Sequence, residues 1–376
     1  MKYYLISGEA SGDLHGSHLI AALKKLDLNA RFRAWGGDLI KKEGAELVKH
    51  YKEIAYMGFW EVLSNLPHIL RNIRFCKNDI IEFKPDVIIY IDYPGFNLRI
   101  AKWAKSKGFE NHYFISPQVW AWKESRVEKI KKFINSLYVI LPFEKAFFED
   151  NHDFKVHYVG HPLVDYISKY EENKKFLSNN LLDESKTIVA LMPGSRIQEI
   201  RKMLPVFVKV AAKIPDHQFI IAGAPSVPLH YYNDLIGNAP LKVIYQATYD
   251  LLQNCNAALV ASGTATLEAA LFNVPQLVCY RTSYINYWIA KKILKLKYIS
   301  LVNLILDSEV VLELIQGECN LKRLELELKK LINLKDKTQQ EGYKKIPSIL
   351  GLGGASEKTA NLIYNSIIIK MNRVKN

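Results

Sequence analysis

Short apolar runs alternate with amphipathic segments along most of the chain, and this alternation constrains the fold more than any other feature. Between the runs, segments such as 17–26, 123–134, 200–213 and 265–273 have helix-like patterns. Buried apolar strands that alternate with helices predict parallel α/β sheets. The runs are KYYLIS (2–7), PDVIIYID (85–92), NHYFIS (111–116), SLYVILP (136–142), TIVALMPGS (187–195), HQFIIAGAP (217–225), NAALVASGT (256–264) and PQLVCYR (275–281).

The alternation pauses at residues 165–186, a polar stretch that carries no strand signal. A chain of 376 residues is also too long for one ordinary hydrophobic core. We therefore expect two Rossmann-like domains that face a cleft, covering residues 1–170 and 171–354, with a C-terminal helix at 355–376 that packs back on the first. Ligands of such sheets bind beyond the carboxyl ends of the strands.

The chain is basic, with 51 Lys and Arg against 38 Asp and Glu and a net charge of +13. This balance indicates a polyanionic partner, which is a nucleic acid, an anionic membrane surface or a phosphorylated substrate, unless the charge only aids solubility. Nucleic acid is the weakest of these because no zinc finger, RNA-recognition signature or basic zipper is present.

Processing and redox signals predict a cytoplasmic protein. No signal peptide opens the sequence, and no apolar stretch reaches the roughly 20 residues of a membrane span. The four cysteines lack CxxC or CxxH spacing, so we expect reduced thiols rather than disulfides or zinc ligands.

A glycine-rich loop, GEASGDLHG (8–16), follows the first run. Two interpretations remain open. Free N–H groups at the start of the next helix can hold a phosphate. Alternatively, Gly12 and Gly16, one helical turn apart, only allow close packing.

Two turns in the second half suit an anionic ligand. In MPGSRIQEI (192–200), Gly194 allows a tight turn, Ser195 can cap the next helix, and Arg196 stands near the helix N-terminus. A plain strand-to-helix turn explains this motif as well.

The second of these turns is ASGTATLEAA (261–270). Its small residues Ser262, Gly263 and Thr264 suit a diphosphate, and Glu268 lies one turn further on, where it can accept hydrogen bonds from ribose hydroxyls. The alternative is a capped helix with a solvent-facing glutamate.

Asp92 ends a buried strand in IDYPGFN (91–97). A carboxylate there points into the cleft and can accept a proton from an attacking hydroxyl. The alternative is an ordinary turn aspartate. No acidic D-x-D motif is present, so we expect neither a metal nor another cofactor to be required.

Several motifs in this order resemble the lipid-A-disaccharide synthases, from about Ser7 through the GGAS at 353–356. The resemblance implies the glycosyltransferase B fold. It also implies transfer from UDP-2,3-diacylglucosamine to 2,3-diacylglucosamine 1-phosphate, with inversion to a β-1,6 disaccharide and release of UDP. The motifs are SGEASGD, YMGFWEVL, KPDVIIYIDYPGFN, SPQVWAW, LPFEKAFF, VGHPLVD, PGSRIQEI, ASGTATLE and SLVNLI.

The resemblance also implies roles for single residues. Asp92 is the candidate general base, and the glycine-rich loop with Glu9, Ser11 and Gly12 holds the acceptor. The UDP pocket comprises Ser195, Arg196, Ser262, Gly263, Thr264, Glu268 and Asn303. In the family the asparagine that matches Asn303 reaches the nucleotide from the other subunit, which implies a possible homodimer.

Membrane contact is expected at 56–75, where an apolar stripe at near-helical spacing ends in Arg71 and Arg74. The proposed contacts are Met57, Phe59, Trp60, Leu63 and Leu66. Lysines in 289–300 add attraction to anionic lipid. A core helix would show the same stripe. Two other functions remain open, a UDP-sugar 2-epimerase of the same fold and a nucleotide-sugar binding module without catalysis.

Overall fold

The computed structural model describes residues 1–54, 66–121, 124–282, 297–333, 337–351 and 353–375. The chain divides into two compact units, Met1–Pro162 with Leu352–Asn376 and Leu163–Gly351. Each unit contains one parallel sheet with helices between its strands. The predicted α/β class with two Rossmann-like domains is therefore confirmed.

The first unit has a seven-stranded sheet in the order β3-β2-β1-β4-β5-β6-β7. Its strands are β1 (Lys2–Ser7), β2 (Arg31–Gly36), β3 (Glu46–His50), β4 (Val87–Ile91), β5 (Asn111–Phe114), β6 (Ser136–Val139) and β7 (His157–Tyr158). Its helices are α1 (Ala10–Leu26), α2 (Asp38–Lys42), α3 (Leu66–Phe83), α4 (Pro94–Ser106), α5 (Val127–Phe133) and α6 (Pro142–His152), and α7 (Pro162–Ser168) leads into the second unit.

The second unit has a six-stranded sheet in the order β10-β9-β8-β11-β12-β13. Its strands are β8 (Ile188–Met192), β9 (Gln218–Gly223), β10 (Lys242–Tyr245), β11 (Ala257–Ala261), β12 (Gln276–Tyr280) and β13 (Leu312–Ile315). Its helices are α8 (Phe176–Asn179), α9 (Ile197–Ala211), α10 (Leu229–Ile236), α11 (Thr248–Asn254), α12 (Thr264–Leu271), α13 (Leu301–Leu306), α14 (Leu321–Asn333), α15 (Lys337–Tyr343) and α16 (Ile346–Leu350).

The central strands are those that the apolar runs predicted. Every residue of β4, β8 and β11 is buried, because helices cover both faces of the sheet. The strands that the sequence analysis missed are shorter or more polar. In β2, for example, Arg33 is tolerated because its guanidinium pairs with the buried carboxylate of Asp79 at 2.6 Å.

The polar stretch at 165–186 packs on the second unit. The Tyr170 hydroxyl donates to Asp250 Oδ1 at 2.8 Å, and the Phe176 ring is 1% exposed. The division between the units consequently falls at Pro162, before this stretch, and differs from the expected boundary at residue 170.

The C-terminal helix α17 (Ala355–Lys375) belongs to the first unit and packs against α1. Lys370 near its end forms an ion pair with Glu110 at 2.7 Å. Among the helices in the described ranges, none combines the length and apolar character needed to cross a bilayer.

Candidate active site

The first unit places Asp92 beside the glycine-rich loop. In its sheet β1 lies between β2 and β4, so the chain winds to one side from β1 and then to the other. Ser7 pairs with Ile91, and the segments that follow β1 and β4 leave the sheet at the same edge. Such a switch point is where open α/β sheets bind ligands. Glu9, Ser11 and Asp92 therefore lie at one switch point.

Asp92 is held by its backbone. Asp92 and Tyr93 both have left-handed backbones, with φ of 44° and 49°. This conformation is costly for residues other than glycine and persists where surrounding contacts hold it. Asn97 Nδ2 donates to the Asp92 carbonyl at 2.7 Å, and the Tyr113 hydroxyl donates to the same oxygen. The partly buried carboxyl group of Asp92 thus projects from a fixed turn.

Gly8 makes room for the residue after Asp92. A Cβ atom on Gly8 would lie 2.4 Å from Cγ of Tyr93. The Tyr93 ring is itself fixed, because its hydroxyl donates to the Ile54 carbonyl at 2.9 Å and its ring stacks on Phe96. Gly8 is therefore required by packing next to the candidate base.

The other glycines of this loop are also tightly packed. A Cβ atom on Gly12 would lie 2.9 Å from Ser7 Cβ, and one on Gly16 would lie 2.6 Å from Ile40 Cδ1. Packing explains both glycines. Among the polar side chains of the loop, Asp13 and His15 are buried, Glu9 is partly buried and Ser11 is exposed, so Glu9 and Ser11 are the ones that an acceptor can reach.

Asp13 in the same motif has a role that the sequence analysis missed. Its buried carboxylate accepts hydrogen bonds from the backbone N–H groups of Gly37, Leu39 and Ile40, at 2.7, 3.1 and 3.1 Å. Asp13 therefore caps α2, whose own N-cap residue Gly37 has no side chain to do so. The only local signal was the uncapped GGDL at 36–39, and the partner lies far away in sequence.

The second unit repeats the switch point with different chemistry. Strand β8 lies between β9 and β11, and Met192 pairs with Val260. The turn that contains Ser195 and Arg196 therefore leaves the same sheet edge as the turn at 262–264. The structure brings these two motifs together as the sequence interpretation requires.

The side chain of Glu199, on the first turn of α9, contacts the first of these strand-to-helix turns. Ser195 N–H donates to Glu199 Oε2 at 3.1 Å, and Arg196 Nη1 lies 3.3 Å from Glu199 Oε1. Gly194 has φ of 120°, which only glycine adopts readily. Glu199 was not predicted as a site residue, although its position on the first turn of α9 is typical of a capping glutamate.

The second turn is open at its centre. The Ser262 hydroxyl donates to the Ile299 carbonyl at 2.8 Å, which ties the turn to the segment before α13. Gly263 and Thr264 are exposed, and α12 begins without a side-chain cap. Apart from its chain neighbours, no atom of the described residues lies within 4 Å of where a Gly263 Cβ would be. The N–H groups of this helix start can reach a ligand.

Glu268 lies one turn along α12, beside aromatic rings. Tyr249 donates its hydroxyl proton to Glu268 Oε1 at 3.2 Å, and the Tyr249 ring contacts Tyr170 and Phe272 with centroids 5.2 Å away in each case. Burial raises the pKa of Glu268 to about 6, and the Tyr249 hydrogen bond offsets this only in part. At pH 7 the carboxylate is ionised and can accept from a ligand hydroxyl.

Asn303 does not have its amide available. It is fully buried; Nδ2 donates to the Val311 carbonyl at 2.8 Å and to Glu313 Oε1 at 2.9 Å. Oδ1 accepts from the N–H groups of Val310 and Val311, at 2.8 and 3.0 Å. Every hydrogen-bonding position of the amide is occupied by a partner in its own unit. A nucleotide contact through this amide would require breaking these bonds, so Asn303 is not part of the proposed donor site.

The membrane stripe falls largely on residues that are not described. Met57, Phe59, Trp60 and Leu63 lie in 55–65, outside the described residues. Leu66 begins α3 and is 41% exposed, and Leu70 on the same helix is 55% exposed.

Comparison with known proteins decides the family. A family model described as lipid-A-disaccharide synthetase matches residues 3–363. The chain belongs to this family. The lipid-A-disaccharide synthase of Syntrophus aciditrophicus is 37% identical over 365 residues, which cover 95% of this chain and 95% of that protein. The synthase of Nitrosococcus oceani is 38% identical over 360 residues, which cover 93% and 92%.

Solved structures share the fold at low identity. UDP-GlcNAc 2-epimerase from Neisseria meningitidis bound to UDP-GlcNAc has a TM-score of 0.66 at 14% identity and covers 97% of this chain and 100% of that chain. A glycosyltransferase from Rickettsia africae has a TM-score of 0.57 at 12% identity and covers 98% of each chain. These likenesses establish the fold alone, which epimerases and glycosyltransferases have in common.

Family membership makes the chain a glycosyltransferase of lipid A disaccharide synthesis, acting on a nucleotide-sugar donor and a lipid acceptor. The choice of these substrates and the inversion at the anomeric carbon follow from the family. Membership also decides between the synthase and the epimerase, which the sequence analysis left open.

Proposed function

We propose that the two switch points divide the reaction between them. The second unit binds the UDP moiety of UDP-2,3-diacylglucosamine through Ser195, Arg196, the turn at 262–264 and Glu268. The first unit activates 2,3-diacylglucosamine 1-phosphate through Asp92. The exposed helix start at Gly263 and Thr264, one turn before Glu268, is the observation that carries this assignment most directly.

Asp92 acts as the general base. The acceptor's 6-hydroxyl oxygen attacks the anomeric carbon of the donor and its proton passes to the Asp92 carboxylate, while the bond between that carbon and the UDP oxygen breaks. One displacement converts the α-linked donor to a β-linked product. The fixed backbone at Asp92 supports this role, since a base must be held in place to be effective.

Charge on the departing UDP is stabilised by the second unit. The Arg196 guanidinium and the N–H groups at the start of α12 supply positive charge and donors where negative charge develops. Ionised Glu268 accepts hydrogen bonds from the ribose hydroxyls. Glu9 and Ser11 are the side chains that the first unit offers to the acceptor's sugar or phosphate.

The lipid substrates favour a peripheral association with the cytoplasmic face of the inner membrane. Exposed Leu66 and Leu70 lie near exposed Arg71 and Arg74 on α3, a combination that suits an anionic bilayer surface. Replacing Met57, Phe59, Trp60, Leu63 and Leu66 by serine is expected to weaken binding to anionic liposomes without unfolding the protein. Unfolding of that variant would instead place the stripe in the core.

An assay of UDP release tests the activity. Release is expected only when an acylated donor and an acylated acceptor are both present, together with formation of the disaccharide. An epimerase would interconvert a UDP-sugar without an acceptor, and a binding module would leave both substrates intact. Either of those results would contradict the proposal.

A further inference from the structure

The carboxylate of Glu199 stands where the proposed donor site needs an anion. It accepts from the backbone N–H of Ser195 at 3.1 Å and lies 3.3 Å from Nη1 of Arg196. A backbone N–H at a helix start and a guanidinium are the groups that bind phosphate oxygens. Glu199 therefore satisfies, inside the protein, the same donors that the UDP diphosphate would use.

The turn is shaped around this side chain. A Cβ atom on Gly194 would lie 2.6 Å from both Cβ and Oε2 of Glu199. The Glu199 side chain is nevertheless 36% exposed, and that of Arg196 is 48% exposed. An ion pair as exposed as this one contributes little to stability, so separating Glu199 from Arg196 costs little.

The influence of the pair extends along the sheet edge to Tyr280, at the end of β12. The pKa of the Tyr280 phenol is raised first by burial and then by the negative charge of Glu199, while Arg196 opposes the rise. The phenol is thus close enough to the pair to be affected by both charges.

We propose that Glu199 is an internal competitor of the donor's diphosphate. In the empty protein its carboxylate occupies the anion position; it withdraws from Ser195 and Arg196 when the diphosphate binds, and it returns when UDP leaves. The inference rests on the proposed function for the assignment of the diphosphate to this turn. Its consequence is that Glu199 weakens the binding of UDP and hastens its release.

A titration of UDP into the full-length protein and its Glu199→Gln variant tests the inference. Glutamine keeps an oxygen that can accept from Ser195 N–H but removes the competing charge. Because an exposed ion pair contributes little, we expect UDP to bind about fivefold more tightly to the variant. Uridine, which has no phosphate, is expected to bind both proteins equally, because the competition concerns the diphosphate alone.

Glu325→Gln is the matched control. Glu325 pairs with Lys329 at 2.7 Å on α14, also in the second unit, and its loss is expected to leave UDP affinity unchanged. Glu199→Asp keeps the charge on a shorter side chain and is expected to bind UDP with intermediate affinity. If Glu199→Gln does not fold, the UDP affinity of Glu199→Asp tests the inference instead.

The opposite results separate the inference from the proposed function. Weaker or unchanged UDP binding by Glu199→Gln overturns the competitor and leaves Glu199 as a residue that only caps α9 or positions Arg196. Wild-type UDP affinity in an Arg196→Ala variant overturns the proposed pocket, and the inference with it.

Discussion

The two strand-to-helix turns at 8–16 and 261–268 look alike in sequence and differ in what surrounds them. Each follows a central strand at a switch point and carries small residues. Positions Gly8, Gly12 and Gly16 have a neighbouring atom within 2.9 Å of where a Cβ would lie. Gly263 has none within 4 Å among the described residues, its chain neighbours aside. A glycine can thus be required by the protein's own packing or leave room for something that is not protein.

In the proposed function Asp92, and not the packed glycines, supplies the chemistry of the first unit. Asp92→Asn keeps the shape of the side chain and tolerates the left-handed backbone, but it loses the proton acceptor. We expect turnover to fall roughly 100-fold or more with UDP affinity unchanged. The measurement is steady-state kinetics with a parallel UDP titration.

Asp153→Asn is the control for this variant. Asp153 also has a left-handed backbone, with φ of 46°, but it caps the C-terminus of α6. Near-normal turnover of Asp92→Asn would remove the base assignment and reduce the first turn to a structural element.

The turn at 8–16 is expected to lose stability when a methyl group is added at Gly8. Gly8→Ala must displace the Tyr93 ring beside Asp92, so we expect a loss of about 1–3 kcal/mol in the free energy of unfolding. Gly95→Ala is the matched control, because no described residue beyond its chain neighbours has an atom within 4 Å of its Cβ position in the first turn of α4. Equal denaturation midpoints for Gly8→Ala and the wild type would contradict the packing role.

The turn at 261–268 is expected to lose UDP affinity, but not stability, when a methyl group is added at Gly263. In Gly263→Ala the methyl group meets no atom in the part of the chain that the structure describes, and φ of 163° is extended backbone that alanine adopts. If the diphosphate approaches this position, UDP affinity falls by about tenfold, the cost of one lost charged hydrogen bond.

Gly317→Ala, whose Cβ position also has no atom of the described ranges within 4 Å apart from its chain neighbours, provides the baseline for the second unit. Unchanged UDP affinity in Gly263→Ala would place the nucleotide elsewhere. A loss of stability in Gly263→Ala would show that this turn is tightly packed, like the turn at 8–16.

The smallest expected effect is a pH dependence confined to the open turn. Since the pKa of Glu268 is about 6, the carboxylate is ionised above that pH and protonated below it. UDP affinity is expected to fall severalfold between pH 7.5 and pH 5, about the value of a weakened hydrogen bond. Tyr249→Phe removes the hydrogen bond that lowers the pKa and should move the transition to higher pH. A Glu268→Gln variant with the same profile as wild type would assign the dependence to another group.

The sequence predicted the central strands correctly because they are apolar throughout. It missed β2, β3, β7, β10 and β13, whose polar residues are accommodated by neighbours that the sequence does not identify. Arg33 in β2 depends on Asp79, and no local pattern announces that pair. The polar stretch at 165–186 was likewise taken to separate the domains, although Asp250 holds it on the second unit.

The sequence by itself determined the fold class, the family and the motifs that come together at each switch point, because strand order and parallel pairing bring the carboxyl ends of neighbouring strands to one edge. Only the tertiary structure decided which of these residues remain available. The Ser7 side chain packs where a Gly12 Cβ would lie, and the Asp13 carboxylate accepts hydrogen bonds from the start of α2. The Asn303 amide is hydrogen-bonded to the segment that precedes β13. Whether a residue can contact a ligand depends on contacts between residues far apart in the chain, and local residue spacing does not predict such contacts.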